Sequence, residues 1–66
     1  MKTSQGLIEL ADWFEERADE KDAWADGWEE GSAEAIEERR EALKLSQCAT
    51  AIRGYAASFE KLETNQ

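Results

Sequence analysis

The chain has 66 residues, of which sixteen are acidic and eight basic, and its net charge is −8. A chain of this length is expected to form one small domain, residues 1–66, with little core relative to its surface. Such an anionic surface repels nucleic acid and anionic membranes, so direct binding to either is excluded and a basic partner is favoured. The alternative is that the acidity only keeps the protein soluble.

Missing residue types exclude several kinds of site. The chain has no histidine and a single cysteine, Cys48, so it offers no Ser-His or Cys-His nucleophile pair and no zinc ligand set. A spacing like that of a calcium-binding loop begins at Asp22, but Trp24 and Ala33 stand where that loop needs oxygen ligands. We therefore expect no enzymatic activity, no cofactor and no metal site. Cys48 is expected to be a buried, reduced thiol.

The first helix is predicted from about Gln5 to Glu20, with Ser4 as its N-cap. Its apolar residues share one side of a helix with 3.6 residues per turn, and its carboxylates occupy the opposite side. This predicts an amphipathic helix that packs through Leu7, Leu10, Ala11, Phe14 and Ala18.

The next stretch, Asp22 to Ser32, contains two glycines, two tryptophans and four carboxylates. We expect one short helical turn, capped by Asp22 and ended by a glycine, with Trp24 and Trp28 on the same side. Two interpretations of the tryptophans stay open. They cover the end of the hydrophobic core, or one of them remains exposed as an aromatic anchor within an acidic rim.

The C-terminal part is predicted to begin at Ser32, a good N-cap, and to be helical from Ala33 to about Glu63. In its most regular stretch, Leu45–Leu62, apolar residues alternate steps of three and four, which predicts the wall of the core. Alanines spaced by seven predict a narrow row along which the first helix packs antiparallel. These alanines are Ala35, Ala42, Ala49 and Ala56.

Two apolar residues, Ile36 and Leu43, lie nearly opposite this row of alanines. We therefore expect the C-terminal helix to bend or break near Lys44–Gln47; the alternative is one helix whose second side receives the tryptophan segment. The predicted fold class is all-α. It is a small compact bundle of two to three main helices, with a short Trp-containing turn between helix one and the C-terminal helices.

Carboxylates are unusually dense along helix one, which carries seven between Glu9 and Asp22 over about 20 Å. This density, about one charge per 3 Å, is comparable with the ~3.4 Å per phosphate of a DNA strand. A rigid row of this kind fits a groove built for a phosphate backbone. The predicted partner-binding residues are Asp12, Glu16, Asp19 and Glu20, extended by Asp22, Asp26, Glu29 and Glu30, with Trp24 or Trp28 as apolar anchor.

The short length, the acidic alanine-rich helices and the segment Leu10-Ala-Asp-Trp-Phe-Glu-Glu-Arg17 resemble small phage and prophage proteins. Size and charge are similar to those of DNA-mimic inhibitors of the anti-CRISPR or anti-restriction kind. The resemblance implies a stoichiometric inhibitor that covers a positively charged DNA-binding site, such as the protospacer-adjacent-motif-reading site of a CRISPR surveillance complex. No defining motif is shared, so no functional residue is carried over.

Because no stretch has the apolar run of a signal peptide or of a membrane span, we expect the cytoplasm of the bacterial host cell. The expected oligomeric state is a monomer or weak homodimer. Two alternatives to the mimic stay open. One is a helical dimerisation or interaction protein with no inhibitory role, and the other is an antitoxin-like cap on a basic toxin.

Overall fold

The computed structural model describes residues 2–64, which form an antiparallel hairpin of two helices. Helix α1 spans Thr3–Asp26 and helix α2 spans Ala33–Thr64, joined by residues 27–32. The Cα atoms extend over 53 × 15 × 9 Å, so the hairpin is a single layer of two helices. The predicted all-α fold is confirmed. Neither helix is long and apolar enough to cross a membrane.

Small residues at every seventh position form the contact between the two helices. The buried positions of α1 are Ser4 and three alanines, and those of α2 are four alanines. Because a methyl group occupies little space, the two backbones can approach closely along this line. The predicted row of alanines and the antiparallel packing are therefore confirmed. We call this contact the alanine seam: Ala11, Ala18 and Ala25 of α1 with Ala35, Ala42, Ala49 and Ala56 of α2.

The seam buries less of the predicted core than the apolar pattern indicated. Along Leu45–Leu62 only Ala49 and Ala56 are buried. Leu45 and Ile52 are half-buried, and the other large apolar residues, Tyr55, Phe59 and Leu62, are exposed. Residues that follow a seam alanine by three positions, such as Ile52, lie about 60° around the helix from the seam. Residues that precede one by a single position, such as Tyr55, lie about 100° away, so their side chains stand beside the contact and not in it. For the same reason the prediction of a buried Cys48 is wrong, and its thiol is exposed.

Helix α1 begins and ends outside its predicted limits. Lys2, in extended conformation, is the N-cap residue, and it provides no side-chain cap. Ser4 was predicted to cap α1, but it lies inside the helix. Its backbone N–H (3.2 Å) and its Oγ (2.6 Å) both donate hydrogen bonds to the Glu63 carboxylate. The Ser4 hydroxyl holds the pKa of Glu63 below its usual value and ties the two open ends of the hairpin together.

The predicted separate helical turn after Glu20 is wrong, because α1 continues to Asp26 and holds Trp24. Ala25 continues the seven-residue spacing and is buried in the seam, and the helix runs nearly two turns beyond its predicted end. The connection then reverses at Gly31, whose φ of 80° is a left-handed conformation that suits glycine. Ser32 caps α2 as predicted, its Oγ accepting a hydrogen bond from the N–H of Ala35 at 3.2 Å.

Helix α2 is continuous, so the predicted bend or break near Lys44–Gln47 is wrong. The seam continues through this stretch from Ala42 to Ala49, and no proline or glycine interrupts it. Ile36 and Leu43 are about half exposed or more. Because the tryptophans are also exposed, the alternative in which these two residues receive the tryptophan segment is wrong as well.

The seam leads to a stability prediction. Ala49 is fully buried, so Ala49→Leu should force the helices apart and lower the free energy of unfolding by about 1–3 kcal/mol. The matched control is Ala57→Leu, which makes the same change at an exposed position of the same helix. Urea unfolding followed by circular dichroism measures both; equal effects at the two positions would contradict the seam.

Candidate partner-binding surfaces

The negative charge is divided unequally between the two helices. Helix α1 has eight carboxylates and two basic side chains, a net charge of −6, whereas α2 has six and five, a net charge of −1. The connection adds two glutamates. The anionic side of the molecule is therefore α1 with its adjoining connection, and α2 is nearly neutral.

On α1 the carboxylates occupy one continuous sector of the surface. At about 100° per residue they span about 160° of the helix circumference, from the edge of the seam to the side opposite it. All of them are exposed. We call this surface the acidic face: Glu9, Asp12, Glu15, Glu16, Asp19, Glu20, Asp22 and Asp26.

Two arginines of α2 reach across to the edge of the acidic face. Arg53 donates hydrogen bonds to Glu15 and, at 2.9 Å, to Asp12. These two carboxylates raise the pKa of Arg53, with Glu15 as the larger cause. Arg39 forms similar contacts, 2.8 Å from Asp26 and 3.8 Å from Asp22. The two arginines together therefore pair with four carboxylates of the acidic face.

The predicted contact residues on α1 therefore differ in availability. Glu20 pairs within its own helix with Arg17 at 3.2 Å. Glu9, Glu16 and Asp19 form no ion pair with any residue between 2 and 64. Of the four predicted principal residues, Glu16 and Asp19 thus have uncompensated charge, whereas Asp12 is already held by an arginine.

The predicted tip residues lie on different elements. Trp24 belongs to α1 and Trp28 to the connection, beside the exposed Glu29 and Glu30. Trp24 and Trp28 are 52% and 50% exposed, so neither ring closes a buried core. Trp28 borders a shallow groove at the hairpin end, where Ala35 is also present. An exposed anchor is therefore the interpretation that the exposure of the rings supports.

A second surface, opposite in character, runs along the other side of the seam. A groove there is bordered by Trp13 and Phe14 of α1 and by Leu45 of α2. The rings of Trp13 and Phe14 meet edge to face, with centroids 5.2 Å apart. We call this surface the apolar face: Leu7, Leu10, Trp13, Phe14 and Trp24 of α1 with Leu45, Ile52, Tyr55, Phe59 and Leu62 of α2.

Cations lie among the aromatic rings of the apolar face. The Arg17 guanidinium is 5.4 Å from the centre of the Trp13 ring, and the Lys21 ammonium is 4.9 Å from that of Trp24. Such contacts are attractive because the face of an aromatic ring is electronegative. Both cations are also paired with carboxylates, Arg17 with Glu20 and Lys21 with Glu41, so their charges are compensated within the chain.

Lys21 is the central residue of a charged layer near the connection. Its Nζ lies 2.7 Å from Glu41 Oε2 and 3.4 Å from Glu38 Oε2. The Glu41 contact is a directed hydrogen bond, whereas Glu38 Oε2 is buried and accepts no hydrogen bond from the described residues. Glu41 is accordingly the main cause that raises the pKa of Lys21, and Lys21 lowers the pKa of Glu41.

Sequence reasoning did not identify the apolar face or the role of Arg39 and Arg53. A usable signal was present, because large apolar residues follow the alanines by three positions in both helices, as Phe14 and Ile52 do. Two such rows must lie on the same side of an antiparallel seam. The arginine contacts could not be predicted in this way, because they depend on which residues of α1 face which residues of α2.

The charged layer leads to a pH prediction. Lys21→Met should lower the free energy of unfolding at pH 7, because it removes the cation that pairs with Glu41 and Glu38. Since the folded pKa of Glu41 is lowered, its contribution is complete above the ordinary value of 4.5 and is lost as pH falls through the folded pKa. Urea unfolding should therefore show a smaller difference from wild type at about pH 3 than at pH 7.

The control for that measurement is Lys61→Met. It removes the same charge from an exposed site that forms no ion pair with residues 2–64. A Lys21→Met effect that is equal at both pH values would contradict the assignment.

The hairpin therefore presents two chemically distinct surfaces. Within the described residues no cluster of side chains could hold a metal ion. No protein-family model, curated protein or solved structure matches the chain. Its function is accordingly inferred from the chemistry of these two surfaces.

Proposed function

We propose that this chain is a binding protein without enzymatic activity, which docks the acidic face of α1 onto a basic, nucleic-acid-binding protein and inhibits it. The observation that carries the proposal is the division of charge, −6 on α1 against −1 on α2. Such asymmetry produces a field along one long side of the molecule, which orients it toward a cationic groove and accelerates association.

The spacing of the carboxylates supports mimicry of a nucleic acid strand. Residues 9–22 lie within one uninterrupted helix, so seven carboxylates extend over about 20 Å at a fixed rise of 1.5 Å per residue. This density is close to that of phosphates along a DNA strand. A helix also holds these charges without the ordering cost that a flexible acidic chain would incur on binding.

The ion pairs with Arg39 and Arg53 decide which carboxylates do most of the binding. A partner that approaches Asp12 or Asp26 must compete with an arginine already in place. Glu9, Glu16 and Asp19 need no such exchange, so they make the principal contacts. Exposed pairs of this kind are individually weak, and for that reason several must act together.

The finer form of the proposal is an anti-CRISPR protein that covers the DNA-reading site of a surveillance complex. Exposed aromatic rings beside acidic residues suit such a role, because aromatic anchors within a charged rim are typical of binding hot spots. Trp28, beside Glu29 and Glu30 at the tip of the hairpin, has this composition. An antitoxin-like cap on a basic toxin would use the same contacts.

The test uses two variants that remove equal charge. Glu9→Gln/Glu16→Gln/Asp19→Asn neutralises the uncompensated part of the acidic face. The control, Glu34→Gln/Glu37→Gln/Glu60→Gln, removes three exposed carboxylates of α2 that form no ion pair with residues 2–64. A protein captured from bacterial lysate at low salt should have an affinity for the first variant that is lower by about tenfold or more. Its affinity for the control should be nearly that for wild type.

Competition then separates mimicry from general charge attraction. Duplex DNA should displace the chain from its partner, and binding should weaken steeply with salt. If duplex DNA never competes, the DNA-mimic proposal is wrong. If both triple variants weaken binding equally, only the total charge matters and the acidic face has no special role.

A further inference from the structure

The apolar face has no covering layer within one chain. Among residues 2–64, every fully or nearly fully buried apolar residue is an alanine, and no large side chain is completely buried. A helix needs a second element against its apolar side, and stable domains therefore contain at least two packed layers. The hairpin supplies one layer only, with Tyr55 and Leu62 65% and 60% exposed.

The size of the uncovered surface matches that of a protein interface. One flat side of the hairpin, 53 by 15 Å, has a projected area of about 800 Å², which is similar to the accessible surface that each partner contributes to a standard interface. The accessible surface is 5017 Å², whereas a compact monomer of 7.5 kDa exposes roughly 4,200 Å². The excess is again about 800 Å², enough for one side of a stable dimer.

The charges on this side disfavour a basic partner and suit a second copy. Arg17 and Lys21 lie against Trp13 and Trp24 and are paired with Glu20 and Glu41, so these two carboxylates are not free to bind a basic protein. A two-fold interface places the same surface on both subunits and must be self-complementary. This side offers apolar rings and chains, and its cation Lys21 is already paired with Glu41 of the same chain at 2.7 Å, so it does not oppose the approach of a second copy.

We infer that two copies of this chain pack their apolar faces together as a four-helix bundle. The second hairpin is the missing layer: it covers Leu10, Phe59 and Leu62 and turns the half-buried Phe14 and Ile52 into core residues. The acidic face is on the opposite side of α1 from this contact, so both acidic faces remain on the outside of the dimer. The inference does not depend on the proposed function.

The test compares two double variants at positions of similar exposure. Tyr55→Glu/Leu62→Glu places charges in the apolar face, whereas Ile36→Glu/Leu43→Glu, at residues 51% and 58% exposed, places them on another side of α2. Wild type should sediment at twice the 7.5 kDa of the chain, with a Tm that rises with concentration. The first variant should dissociate on the order of a hundredfold more readily, and the control should remain dimeric.

If the first variant does not fold, the mass and Tm of the wild-type protein are sufficient to test the inference. A wild-type mass of one chain at about 100 µM, with a Tm independent of concentration, would overturn it. Any mass other than two chains would also overturn it, as would equal dissociation of both variants. The triple variant Glu9→Gln/Glu16→Gln/Asp19→Asn should remain dimeric, so failure of the dimer and failure of basic-partner binding are observed separately.

Discussion

Alanine at every seventh position of both helices is the constraint on which the rest of the structure depends. It brings the two backbones together along a narrow line and leaves no room there for a larger side chain. Large apolar residues must therefore lie beside the contact, as Phe14 and Ile52 do, or beyond it, as Tyr55 does. A close hairpin and an uncovered apolar face are consequences of the same spacing.

The seam also determines how the charges are distributed. With α2 against one side of α1 and apolar residues on a second, the carboxylates of α1 are confined to the remaining sector. Arg39 and Arg53 reach this sector from α2 and hold its edge, as the contacts to Asp12 and Asp26 show. Of the uncompensated carboxylates, Glu9 and Glu16 lie farther from the helix contact than these paired residues.

The two surfaces of α1 act through different physical forces. The acidic face attracts cationic proteins over a distance comparable with the Debye length and loses strength in salt. The apolar face works through contact and removal of water, which salt does not screen. In our proposals the acidic face binds a basic protein and the apolar face a second copy, and the two surfaces lie on opposite sides of α1, so neither partner competes for the other's site.

The sequence by itself determined the helical class, the Ser32 cap, the antiparallel packing along alanines and the concentration of carboxylates in α1. These follow from local chemistry and from spacing along one helix. The tertiary structure decided that α1 reaches Asp26, that α2 is unbroken, that Cys48 is exposed and which carboxylates are paired with arginines. Each of these depends on the register between two helices, because an alanine can extend a helix, or an arginine find its carboxylate, only when the facing residues of the other helix are in place.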